Sequence, residues 1–298
     1  MGLVAVAALG FGAALAAIGG EPTVATQTFT NVVTYTVPTV TETVTVSETA
    51  AIPPAPPLPT FPRSIWTKST IPAGQLAPVK SLGFGFVQVD PDLAQLVAVQ
   101  AAGLRAIVWL GNVSDPPDCT WNWSDDQIRA DIARVKDHPA VAYYFVADEP
   151  HAACAQQMRE RTALVRSLDP TKPTFMTENR KDDFAALAGI TDIFGIIRYP
   201  CSYTAGCVPS KITESMNAAK AAGITSWWGV PQVFHEPTDG YYRAPSPAEL
   251  QAIFEAWEAD PGTVGYFFYT WGDGCCVNDI GLFDHLELWD SVRVENSG

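Results

Sequence analysis

From Arg63 to the C-terminus, short apolar or aromatic runs alternate with helix-like segments. The runs at 64–69, 84–89, 105–110, 141–147, 173–177, 193–199, 226–234 and 264–271 read as strands. Between them, 91–102, 124–137, 152–168, 212–222 and 247–259 read as helices. Gly103, Gly189 and Gly223 sit where helices stop before the next strand. Ser124 and Ser246 are placed as helix starts, each with acidic residues in the first turn.

Strands alternating with helices predict a mainly parallel sheet. Eight such units in about 236 residues match a single (β/α)8 barrel, which typically needs about 250. The first strand, SIWTKS, carries the least pattern; without it a doubly wound sheet is the alternative. A barrel keeps its chemistry at the C-terminal ends of its strands, so side chains there are the candidates for function.

The first 62 residues follow a different pattern. Residues 2–20 are uncharged and almost all small or apolar, which reads as a signal peptide or membrane anchor, with Ala14-Leu15-Ala16 fitting a cleavage site. Residues 21–62 are rich in Thr and Val, then in Pro, and read as a stalk or linker. A small β-module within 23–50 is the alternative. The expected organisation is thus 1–20, 21–62 and a barrel over 63–298, in a protein secreted or anchored on the outer face of the cell envelope.

Composition narrows the partners. Hydrophobic residues make up 47% and charged residues only 17%, which excludes a wholly disordered chain. Eighteen Lys and Arg against 32 Asp and Glu give a net charge of −14, which disfavours a nucleic-acid surface or an anionic lipid surface.

The strand ends carry a consistent chemistry. Strand four ends in Asp148 and Glu149, strand five in Glu178, and strand six in Arg198 and Tyr199. Strand seven supplies Trp228, Gln232, His235 and Glu236; strand eight supplies Tyr269, Trp271 and Asp273. Strand three ends near Trp109 and Asn112. Carboxylates, amides and aromatic rings suit a sugar: rings stack on its C–H faces, and planar polar groups meet its hydroxyls. Cleaving a glycosidic bond typically needs two carboxyl groups, one to protonate the leaving oxygen and one to attack or to activate water. On a regular strand Asp148 and Glu149 point to opposite faces, so both reach the mouth only if the chain turns after Ala147.

The stretch from about Ser64 to Asp290 resembles the clan of (β/α)8 glycoside hydrolases with an Asn-Glu-Pro-type motif after strand four, here Asp148-Glu149-Pro150. The resemblance implies that Glu149 is the general acid/base, that Asp148 contacts the substrate, and that Trp271 floors the sugar site. Where that clan places its nucleophilic Glu on strand seven, this chain has Gln232, and an amide cannot serve. Three readings follow. Glu236 reaches the site from the loop, Glu178 supplies the second carboxylate, or the barrel binds a glycan without cleaving it.

Six cysteines, at 119, 154, 201, 207, 275 and 276, fall in loops after strands. An even number in an exported chain implies disulfides. Six cysteines allow 15 pairings. One set joins Cys201 to Cys207, Cys119 to Cys154 and Cys275 to Cys276; in another the vicinal pair bonds elsewhere. The spacings make no zinc pattern, and no phosphate loop, dinucleotide fingerprint or serine-nucleophile elbow occurs, so neither metal nor cofactor is expected.

The leading expectation is an exported glycoside hydrolase acting on an oligo- or polysaccharide. Glu149 is its proton donor and Glu178 or Glu236 its second carboxylate, with Asp148, Tyr199, Trp228, Gln232, Tyr269 and Trp271 around the sugar. The alternative is a non-catalytic carbohydrate-binding or cell-wall scaffold protein on the same barrel. Residues 2–20 are a possible membrane tether in either case, and the sequence assigns no oligomeric state.

Overall fold

The computed structural model describes residues 29–37 and 40–48 as backbone, together with residues 58–237, 240–274 and 279–298. The expected signal or anchor at 2–20, and Cys275 and Cys276, lie outside the described residues. Phe29–Val37 and Val40–Glu48 pair as an antiparallel hairpin, in a unit separate from the remainder of the chain. Among the described residues no helix is long and apolar enough to cross a membrane.

The second unit is an eight-stranded parallel barrel. Its strands are β1 (Arg63–Ile65), β2 (Phe86–Val89), β3 (Arg105–Trp109), β4 (Val141–Asp148), β5 (Thr174–Glu178), β6 (Ile193–Ile197), β7 (Trp227–Val230) and β8 (Thr263–Phe268). They pair in chain order, and β8 closes onto β1 through Tyr266 opposite Arg63. The SIWTKS segment is thus a barrel strand, though only three residues of it and its neighbourhood pair, and the doubly wound alternative falls.

The helices are α1 (Ala73–Ser81), α2 (Leu93–Ala101), α3 (Asp125–Val135), α4 (Ala155–Leu168), α5 (Phe184–Leu187), α6 (Ser210–Ala221), α7 (Pro247–Glu258) and α8 (Trp289–Ser297). Ser124 caps α3 by accepting from the Gln127 amide. Ser246 and Glu249 form a reciprocal capping box at α7, with Pro247 in the first turn. Gly103 and Gly223 follow α2 and α6, and Gly189 follows α5; all three have positive φ, which a residue without Cβ adopts at little cost.

Strand parity builds two cores. Phe86, Ile107, Phe145, Phe175, Trp228 and Phe267 point inward and fill the barrel. Val87, Val108, Met176, Trp227, Tyr266 and Phe268 point outward against the helices. Gly229 shows how tight the outer layer is: a Cβ there would lie 2.7 Å from the Trp257 ring of α7. Above this filled interior, at the C-terminal end of the barrel, lies the candidate site.

Candidate active site

A cavity of about 400 Å³ opens at that end. Its walls include Trp66, Asp148, Glu149, Thr177, Asn179, Arg198, Tyr199, Phe234, Glu236, Tyr242, Tyr269 and Asp279.

Two features of β4 bring both of its carboxylates into this space. The register against β5 shifts between Phe145 and Ala147, leaving Val146 as an extra residue. After Asp148 the chain then turns at Glu149, whose φ of 52° is left-handed. Asp148 and Glu149 therefore both line the cavity, as the turn after Ala147 required. Asn112, at the end of β3, holds the corner: its side-chain amide donates to the Asp148 carbonyl at 2.9 Å, and its Oδ1 accepts from the Asp148 amide at 3.1 Å. The Thr177 hydroxyl donates to the Asp148 carboxylate.

Glu149 is held on two sides. Asn179 Nδ2 donates to Glu149 Oε1 at 2.7 Å, and the Glu149 carbonyl accepts from Arg180. Burial pushes its carboxyl up to about 8, helped by the negative charges of Asp148 and Glu178, against the smaller opposing effects of Arg180 and Asn179. Burial also raises Asp148, with the Thr177 hydrogen bond and Arg180 opposing. Glu149 thus holds its proton at neutral pH, the state a general acid requires.

The other carboxylates take different positions. Thr177 on β5 faces the cavity, so the pleat sends its neighbour Glu178 to the opposite face. There Glu178 is fully buried, accepts from the Asn179 and Arg180 backbone amides and lies 3.4 Å from the Arg180 guanidinium. Burial raises its carboxyl to about 7. Glu236 reaches the cavity wall, but its Oε2 already accepts from the Tyr241 and Tyr242 amides. Asp279, from the loop after β8, also lines the cavity; only 3% of it is exposed, and its Oδ2 accepts from the Tyr269 hydroxyl at 2.7 Å. Gly274 packs over this pair so closely that a Cβ would lie 2.4 Å from both the Tyr269 hydroxyl and the Asp279 carboxylate.

Of the aromatic and amide residues expected around a sugar, Tyr199 and Tyr269 line the cavity, stacked with ring centroids 5.6 Å apart. Three others stand elsewhere. Trp228 lies below the cavity in the barrel interior, edge-on to Tyr143 and tilted against Phe175. Gln232 is fully buried and saturated: its Oε1 accepts from the Cys201 amide, and its Nε2 donates to the Cys201 and Arg243 carbonyls. Trp271 lies three residues past the end of β8, and its ring packs on Phe283 and Trp289. Trp66, Asn179, Tyr242 and Asp279 join the site without having been singled out from the sequence. Only Asn179 offered a usable signal, as the residue directly after the strand-five end.

Two disulfides frame the site. Cys119–Cys154 ties the β3 loop to the segment just after Glu149 and Pro150, and Cys201–Cys207 closes the loop after β6. Cys201, Cys207 and Glu249 come close enough to suggest a metal site, but the sulfurs are joined to each other and Glu249 is held bidentately by Arg243.

No protein-family model matches the chain, and no curated protein sequence does. Solved structures do. A β-glucuronidase from Ruminococcus gnavus in complex with uronic deoxynojirimycin superposes at a TM-score of 0.62 and 14% identity, over 80% of this chain and 50% of that one. A β-galactosidase from the psychrophilic Marinomonas ef1 gives 0.61 at 10% identity, over 80% and 59%. A β-D-glucuronidase from Dictyoglomus thermophilum gives 0.60 at 13% identity, over 91% and 57%. At these identities the likeness is one of fold: a (β/α)8 barrel of the kind that glycoside hydrolases use. The chain spans roughly half to three-fifths of the length of these neighbours.

Proposed function

We propose that the protein is a glycoside hydrolase in which Glu149 is the proton donor. The observation that carries this reading is a cavity-lining carboxyl raised to about 8 at the end of β4, fixed through one oxygen by Asn179. Its proton passes to the glycosidic oxygen as the bond to the anomeric carbon breaks. Trp66, Tyr199, Tyr242 and Tyr269 supply faces for the sugar ring.

Asp279 is the best-placed second carboxylate. In the barrel order β8 stands four strands from β4 in either direction, so a side chain tethered to Tyr269, just past the end of β8, faces Glu149 across the mouth. Glu236 has one oxygen committed to its own loop, and Glu178 lies behind the wall, where its charge acts on Glu149 from a distance. In this scheme Asp279 takes the proton of the water that attacks the anomeric carbon.

The two disulfides favour an oxidising compartment, so the enzyme works outside the cytoplasm on an oligo- or polysaccharide. Residues 2–20 would direct or tether it there.

A second reading is a non-catalytic glycan-binding barrel. It is favoured by the buried amide Gln232 beyond β7, where the resembling clan has a carboxylate.

The test is release of reducing ends from a polysaccharide panel, and of phenols from aryl glycosides, by the full chain and by Glu149→Gln. Turnover lost in the variant supports the hydrolase; turnover retained contradicts Glu149 as the acid. Glycan binding without turnover selects the second reading.

A further inference from the structure

Arg198 stands apart from the other arginines of the cavity region. Arg180 is bound to Glu178 and Asp183, and Arg243 grips Glu249 with two hydrogen bonds. Arg198, directly after the end of β6, lines the cavity beside Glu149, Tyr199 and Tyr242, yet among the described residues it makes no ion pair. Its Nε is buried and has no hydrogen-bond partner.

Arg63 shares a buried, unmatched Nε, but it does not line the cavity. Acidic residues outnumber basic ones 32 to 18, so a carboxylate partner was readily available. The carboxylates around Arg198 have other donors: Asp148 has Thr177, Glu149 has Asn179, Glu236 has two loop amides and Asp279 has Tyr269. A guanidinium has five N–H donors in a planar fork matched to a carboxylate, and cannot shed its charge. Leaving a buried donor unmatched is costly, so the group is poised for an acceptor that arrives with the ligand.

We propose that Arg198 binds the carboxylate of an anionic sugar, making uronate-bearing glycans the substrate class of this cavity. A neutral sugar would leave the guanidinium unpaired on closing the site. A uronate fills the fork and supplies the charge that the surrounding residues withhold. A site built around such a contact discriminates against a ligand lacking it. The kinetic form of the inference rests on the glycosidase reading; the binding form does not.

The experiment compares, on the full chain, aryl β-D-glucuronide and β-D-galacturonide with the neutral glucoside and galactoside, and with the uronide methyl esters, which keep the carbon skeleton but lose the charge. The expected result is a kcat/KM at least about tenfold higher for one free uronide than for its hexoside and its ester. In Arg198→Gln that ratio should collapse, and in Arg198→Lys, which keeps the charge, it should survive in part. A wild-type enzyme that turns over hexoside and uronide equally, or a preference unaltered in Arg198→Gln, overturns the inference while leaving the glycosidase reading intact. If no glycoside is cleaved, calorimetric titration with free glucuronate, galacturonate, glucose and galactose decides separately. Uronate binding lost in Arg198→Gln sustains the inference although the glycosidase reading has failed; no preference for uronate overturns it.

Discussion

Asn179 donates its side-chain amide to Glu149 across 2.7 Å, from just past the end of the neighbouring strand. This bond favours the charged form of Glu149, whereas the charge of Glu178 disfavours it. The two residues are sequence neighbours, yet they act on the same carboxyl in opposite senses.

The pH profile should report that opposition. The wild-type kcat/KM should fall on the alkaline side near pH 8, as Glu149 loses its proton. Asn179→Ala should move the limb to higher pH, and Glu178→Gln should move it to lower pH while leaving an active enzyme. If both variants shifted the limb in the same direction, Glu149 would not be the group that titrates.

Folding stability carries the same proton. Glu149 and Glu178 are raised from an ordinary 4.5 to about 8 and about 7, so the folded state holds protons that the unfolded chain releases. Their stabilising contribution is complete below about pH 4.5 and is lost as pH rises through 7 to 8. Glu149→Gln, neutral throughout, should therefore gain stability relative to wild type between pH 5 and 8. Thermal unfolding of the two proteins across that range checks it.

The Asn112 amide holds both backbone groups of Asp148. Asn112→Ala should cost about 1–3 kcal/mol in denaturant unfolding, the usual penalty for an unmet buried group. Because Asp148 precedes the turn that aims Glu149, kcat should fall more than KM rises.

Reduction, or paired replacement by serine, of Cys119–Cys154 should cost about 2–4 kcal/mol, since the bridge closes a loop across 35 positions of sequence. The loss should appear in unfolding and in the rate, because the bridge anchors the chain soon after Glu149.

Much of the barrel was legible because each strand is a short apolar run and α3 and α7 begin at capping serines. Ser124, Ser246 and the three glycines occupy the positions their chemistry dictates. α1 leaves little mark in the sequence because Pro78 interrupts its interior and its apolar positions form no stripe. The two described disulfides belong to one of the pairings the spacing left open. Within the site, strand parity is the signal that sorts the side chains. It places Thr177 inside and Glu178 behind, and Trp228 in the barrel core below the mouth. The Val146 bulge and the left-handed turn at Glu149 leave no mark in the residue pattern, because Val and Glu favour neither. Asp279 and Tyr242 come from loops, whose side chains follow no period.

Leaving-group dependence tests Glu149 as the proton donor most directly. The full chain and Glu149→Gln are compared on two aryl glycosides of the same sugar, one with an acidic dinitrophenol leaving group and one with an unactivated phenol or alcohol. Glu149→Gln should lose about 10²–10⁴-fold in rate on the poor leaving group and far less on dinitrophenol, which departs without protonation. Equal losses on both substrates, or none on either, would contradict the assignment.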